Sequence, residues 1–179
     1  TSELNLTILA SENCNFACQY CFDSFNGINI KQSVADDIIL YIRKNIRKFT
    51  AVNIGWFGGE PLLAAKEIER MSHKILEICH KSSRSMHAQI TTNGYLLDVE
   101  TFKKLLKCNI YSYEITLDGF ESDHNKNRPL KNGNGSYNII LNNLRAIRDE
   151  VKSRVFQIVI RVNLTKTTLD KFVEFCDFL

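Results

Sequence analysis

Short β-prone apolar runs alternate along this chain with longer stretches whose apolar residues recur at helical spacing. "LNLTILA" (4–10) reads as a strand and is followed by "SVADDIILYIRKNIRKF" (33–49). There Ser33 is placed to cap a helix, and Val34, Ile38, Ile42, Ile46 and Phe49 share one face. "AVNIGWF" (51–57) is a second strand. The helical stretch 65–81 follows, with Ile68, Met71, Ile75, Ile78 and Cys79 inward. "HAQITTN" (87–93) and "IYSYEITLD" (110–118) read as strands three and four, separated by a helix over 98–108 that Asp98 caps. A helix over 135–151, with Ile139, Leu144 and Ile147 apolar, leads to a fifth strand, "VFQIVIRVN" (155–163), and a fifth helix over 168–179.

Five β-then-α units in series predict an α/β fold with a parallel sheet and right-handed crossovers. A full or partial (β/α) barrel with outer helices and a doubly wound sheet both fit. The whole of 1–179 reads as one domain. Because the chain stops straight after the fifth helix, a sixth strand and further sequence are expected beyond it.

Composition narrows the picture modestly. The 179 residues are 44% apolar and 24% charged, as in globular domains, and a net charge of +3 specifies no partner. No run approaches the roughly 18 apolar residues of a membrane span, so no membrane association is expected. The N-terminal segment lacks the basic and small-residue features of a secretory signal. Six cysteines in a helix-rich chain of this length suggest reduced thiols and a cytoplasmic location.

The turn-forming and polar motifs share one address. "ENCNFACQYCF" (12–22) follows strand one and "GGEP" (58–61) follows strand two. "TTNG" (91–94), "TLDG" (116–119) and "RVN" (161–163) end strands three, four and five. Each motif alone is ordinary turn chemistry. In a parallel β/α fold, however, all five converge at the C-terminal strand ends, where active sites are built.

Cys14, Cys18 and Cys21 have the spacing C-x₃-C-x₂-C on one loop. Structural zinc normally takes four ligands from two short segments, and no second pair is present. Cys79, Cys108 and Cys176 fall in apolar helical stripes, as buried core cysteines do. His73, His80, His87 and His124 form no ligand-like pair, and His73 and His80 read as surface residues. An iron–sulfur cluster suits closely spaced thiolates, and three of them leave one iron open. Phe16, Tyr20 and Phe22 would shield such a cluster.

This cysteine pattern after the first strand resembles the signature of the radical S-adenosylmethionine (SAM) superfamily, and the likeness extends over essentially the whole chain. It implies a [4Fe-4S] cluster held by Cys14, Cys18 and Cys21. It also implies reductive cleavage of SAM at that cluster and abstraction of a hydrogen atom from a substrate. Gly58, Gly59 and Glu60 are similar to the family's Gly-Gly-Glu motif, which implies contact with the SAM ammonium. Tyr20 matches the position that lies against adenine. "TLDGFESDHNKNR" (116–128) is similar to the segment of anaerobic sulfatase maturases that binds the SAM carboxylate, which implies that role for Thr116 and Arg128. Asn163 is placed to contact the ribose.

"FGGEPLL", "TTNGYLL", "TLDG…H…R…G.GSY" and "RVN" together resemble the peptide- and protein-modifying branch, which often carries a cysteine-rich C-terminal (SPASM-type) extension. Phe57 stands where sulfatase maturases tend to carry glutamine, which points towards ribosomal-peptide maturation. The implied partners are a peptide or protein substrate, a leader peptide, and an electron donor such as flavodoxin or ferredoxin. Two other readings rank lower. One is a radical SAM enzyme that modifies RNA, for which Arg43, Lys44, Arg47 and Lys48 could be cited, although such a run is usually a solvated helix face. The other is a zinc-stabilised, non-enzymatic binding module. The catalytic residues stay unassigned, since hydrogen-atom abstraction needs no general base. By location Asp118 is a candidate for a later base, but a structural role at its turn is favoured.

Overall fold

One sheet of five parallel strands organises the molecule, in the order β1-β2-β3-β4-β5 (Ser2–Ser11, Phe49–Gly58, Ser85–Thr92, Ile110–Thr116 and Gln157–Arg161). The structure is a computed structural model describing residues 2–22, 27–153 and 155–179, with Thr167 described by its backbone alone. Strand order that follows sequence order is that of a barrel. A doubly wound sheet would reverse direction partway across. The fold is therefore an α/β partial barrel of parallel strands with outer helices.

Alternation along the strands explains why one face carries the helices. Ile8, Ala10, Val52, Ile54, Trp56, Met86, Ala88 and Ile90 are buried on that face. They pack with α1 (Gln32–Asn45), α2 (Ala65–Lys81) and α3 (Val99–Lys107), whose Ile39, Ile42, Ile68, Met71, Ile75, Phe102 and Leu105 join the same core. Each such side chain contributes about 1.5–3 kcal/mol by leaving water. Many of the intervening residues are polar, and Asn5, Thr7, Asn53, Gln89, Ser112 and Gln157 are among those that line an open trough of about 700 Å³. Parallel sheets are usually covered on both faces. Here the inner face stays accessible.

Several element boundaries differ from the sequence reading, each for a local reason. Asp98 does cap α3, accepting from Thr101 N–H at 2.7 Å. Ser33 lies inside α1, which begins at Gln32 and has no side-chain cap. The helix also ends at Asn45, and Phe49 opens β2 because a 3₁₀ turn over Ile46–Lys48 redirects the chain. At the start of α1, Val34 is exposed and Ala35 takes the inward position. On α5 (Tyr137–Glu150), Ile140 and Ile147 are buried whereas Ile139 is exposed.

The last helix is broken into α6 (Lys166–Leu169) and α7 (Phe172–Phe178), which shifts its apolar face. Phe175 is buried against Phe120, and Cys176 and Val173 are exposed rather than in the core. Cys79 and Cys108 are buried as expected, and His73 and His80 lie on the surface. A short helix, α4 (Glu121–Asn127), had no counterpart in the sequence reading. No helix among the described residues is long and apolar enough to cross a membrane.

Candidate active site

The loop after β1 is held from two sides. On one side, Gly59 N–H donates to Ser11 O at 2.9 Å and Glu60 N–H to Asn13 O at 2.8 Å, joining it to the loop after β2. Gly58 sits at φ +129°, and a Cβ there would lie 2.1 Å from Ser11 O, so only glycine allows this approach. On the other side, the loop pairs with the segment after α4. Gln19 N–H donates to Asn127 O and Ala17 N–H to Pro129 O, both at 2.9 Å, Phe16 bridges Leu130, and Lys131 N–H donates to Asn15 O at 3.0 Å.

This frame carries the three cysteines at graded depth: Cys14 buried, Cys18 half-buried, Cys21 exposed. Cys14 Sγ accepts from Phe16 N–H at 3.4 Å, and the Asn93 side-chain amide lies 3.9 Å from it. Burial pushes the Cys14 thiol up and the Cys18 thiol up to about 11, although nearby Arg128 opposes the shift at Cys18. Both thiols are therefore neutral until a metal displaces the proton. Phe16 is enclosed beneath the loop and Tyr20 is partly exposed, whereas Phe22 faces solvent and shields nothing. Among the described residues no group of three or more His, Cys, Asp or Glu side chains is arranged to hold a single metal ion. A cubane distributes its ligands over separate irons, so three thiols spread along one loop fit that donor set.

Glu60 lies beneath the loop with no solvent exposure. Its carboxylate accepts from Leu62 N–H (2.9 Å), Thr92 Oγ1 (2.7 Å) and Asn93 N–H (2.7 Å). Desolvation raises its pKa while these three bonds oppose the rise. Glu60 is thus a brace between the ends of β2 and β3. The half-buried backbone of Gly58 and Gly59 is the accessible part of the motif.

The remaining expected residues meet around Asp118, itself fully buried. Tyr20 Oη donates to Asp118 Oδ2 at 2.5 Å and accepts from Arg128 Nη1 at 2.7 Å and from Asn163 Nδ2 at 3.0 Å. Asn163 N–H also donates to Asp118 Oδ1 at 2.8 Å. Segments after three strands, β1, β4 and β5, and the end of α4 thereby share one polar knot, in which Asp118 acts as an acceptor hub. Thr116, 8% exposed, closes β4 two residues before the hub.

Arg128 is 6% exposed, its guanidinium lies 5.4 Å from the Phe16 ring centroid, and its Nε has no hydrogen-bond partner among the described residues. A buried cation with an unused donor is costly unless an anion completes it. This suits the carboxylate of SAM.

Sequence reasoning missed four contributors here: Asn93, Asn125, His124 and Ser136. Asn125 Oδ1 accepts from Ser136 N–H (2.9 Å) and Tyr137 N–H (3.0 Å), satisfying the first turn of α5. A Cβ at Gly135 would sit 2.6 Å from Asn125 Nδ2. The letters H and G.GSY in the motif marked this assembly, but spacing alone gave them no role.

Known proteins resemble this chain in sequence and in fold. A cysteine-type anaerobic sulfatase-maturating enzyme of Clostridium novyi (strain NT) is 29% identical over 173 residues, covering 93% of this chain and 46% of that protein. A GTP 3',8-cyclase of Trichodesmium erythraeum (strain IMS101) is 33% identical, covering 69% and 39% respectively. Native anSMEcpe with bound AdoMet and Kp18Cys peptide superposes with a TM-score of 0.82 at 22% identity, over 98% of this chain and 48% of that one. The chain spans less than half the length of each. Residues 8–179 match the Radical SAM superfamily, so the cysteine loop and the strand-end knot are those of a chain that belongs to that superfamily of [4Fe-4S]- and SAM-dependent enzymes.

Proposed function

We propose that this chain is the cofactor-binding core of a radical SAM enzyme that acts on a side chain of a peptide or protein during its maturation. Cys14, Cys18 and Cys21 hold the [4Fe-4S] cluster. Arg128 and Thr116 would receive the SAM carboxylate, the Gly58–Gly59 backbone its ammonium, and Tyr20 and Asn163 the adenosine. When bound, the cluster and SAM supply reductive SAM cleavage and abstraction of a hydrogen atom from the substrate, with electrons from a donor such as flavodoxin or ferredoxin.

The observation that carries this reading is Arg128, a buried guanidinium beside the cysteine loop whose Nε lacks a hydrogen-bond partner among the described residues. The protein's own part is positional. It would fix an anion next to the cysteines and encloses Phe16 beneath them. The peptide class is supported by relatives named as sulfatase-maturating enzymes and by the fold shared with Streptococcus suis SuiB bound to its precursor peptide SuiA (TM-score 0.67). A leader segment of the substrate would then be a second recognition element.

Anaerobic reconstitution with iron and sulfide, followed by dithionite-dependent release of 5′-deoxyadenosine from SAM, tests the reading. Cleavage that disappears in Cys18→Ala is the expected result. A colourless protein that takes up zinc instead would sink it.

A further inference from the structure

His124 is fully buried in α4 and touches neither a cysteine nor the trough. Its hydrogen bonds nevertheless define a chain with fixed direction. The backbone N–H of Asp118 can only donate, so His124 Nδ1, 3.1 Å away, is the acceptor. Ser136 Oγ lies 2.9 Å from the carbonyl of Arg128, which can only accept, so the serine proton is spent there. The remaining contact, His124 Nε2 to Ser136 Oγ at 3.0 Å, must then be an N–H donated by the histidine. The ring is therefore the neutral Nε2–H tautomer. Its face is packed by Tyr137, with centroids 5.7 Å apart.

The two ends of this chain are the backbones of Asp118 and Arg128, the hub of the knot and its buried cation. Resting on the SAM-binding reading above, we propose that His124 and Ser136 are positioning residues of the cofactor site. They lock the turn after β4 to the end of α4, so that the Arg128 guanidinium is already aimed when the SAM carboxylate arrives. Neither residue touches the cofactor. Arg128 N–H also donates to His124 O at 2.7 Å, so the histidine holds this arginine from two directions. Such supporting shells typically change ligand affinity by about 10–100-fold when removed.

Ser136→Ala removes the link to the Arg128 carbonyl but leaves the Asp118–His124 bond intact, and Ser136→Thr restores a hydroxyl. With reconstituted protein under anaerobic conditions, calorimetry should show the Kd for SAM rising about tenfold in Ser136→Ala and returning in Ser136→Thr. Iron content and the electron paramagnetic resonance signal of the reduced cluster should stay unchanged. Equal SAM affinity in wild type and Ser136→Ala, or equal loss in the Ala and Thr variants, would overturn the relay and leave the SAM reading standing. Wild-type protein that holds a cluster but binds no SAM would overturn both. Independently of any cofactor, ¹⁵N resonances of His124 should report the Nε2–H tautomer at pH 7, and an Nδ1–H tautomer would overturn the relay outright.

Discussion

Glu60 and Asn93 join the ends of β2 and β3 out of contact with water: the Asn93 N–H donates to Glu60 Oε2 at 2.7 Å, and no part of Glu60 reaches solvent. Three N–H or O–H groups point at this carboxylate, and it returns no donor of its own. Glu60→Gln would set an NH₂ group against one of them and leave a buried donor unmatched, at about 1–3 kcal/mol. The metal-free protein should then melt about 2–12 °C lower. An unchanged melting temperature in calorimetry would mean the carboxylate braces nothing.

Gly58 and Gly133 separate steric cost from backbone cost. Both have positive φ, +129° and +83°, yet a Cβ at Gly58 meets Ser11 O at 2.1 Å while one at Gly133 meets nothing within 4 Å. Gly133→Ala should cost about 1 kcal/mol from backbone strain alone. Gly58→Ala must also displace the backbone of the cysteine loop and should cost about 3 kcal/mol or more. Urea unfolding of the two variants side by side checks the order, and equal midpoints would contradict it.

Acid should loosen the knot through His124. Burial, with the Arg128 charge adding to it, depresses this imidazole from 6.5 to about 3 in the folded chain. The contribution is complete above pH 6.5 and is lost as the pH falls towards 3, because the unfolded chain binds the proton first. At pH 5 the loss is about 2 kcal/mol. Urea midpoints measured between pH 7.5 and pH 5 should fall accordingly, and His124→Gln should show a flatter dependence from a lower starting stability.

Cysteine exposure predicts an order of alkylation. In the native, metal-free protein Cys21 and Cys176 are exposed, whereas Cys14, Cys79 and Cys108 are buried. Iodoacetamide followed by peptide mass mapping should mark the exposed pair first. Reconstitution with iron and sulfide should then protect Cys21 and leave Cys176 reactive. Equal labelling of both afterwards would remove Cys21 from the cluster.

Much of this was legible in the chain, and what was not has a common cause. The α2 helix was read to its ends because Ile68, Met71, Ile75 and Ile78 repeat one face without interruption. The five strands and the shared position of their motifs followed from the same kind of periodicity. Periodicity is blind where a tertiary contact ends an element. Phe49 continues the helical stripe of α1 but is claimed by pairing with β1, where it lies opposite Ser2. The seven residues of α4 carry no apolar stripe, so the helix that presents His124 and leads into Arg128 was invisible. The cysteines and Arg128 were found because their chemistry is rare. Ser136 and Asn125 went unassigned because hydrogen bonding to a distant backbone leaves no spacing to read.

The backbone pairing of residues 15–19 with 127–131 sets an order of events during synthesis. The three cysteines leave the ribosome before the strand-like segment that clasps their loop, which follows roughly 110 residues later. Until it arrives, the cysteine loop is held from one side at most. The clasp around the cysteine loop therefore closes only once residues 127–131 have been made, late relative to the loop itself.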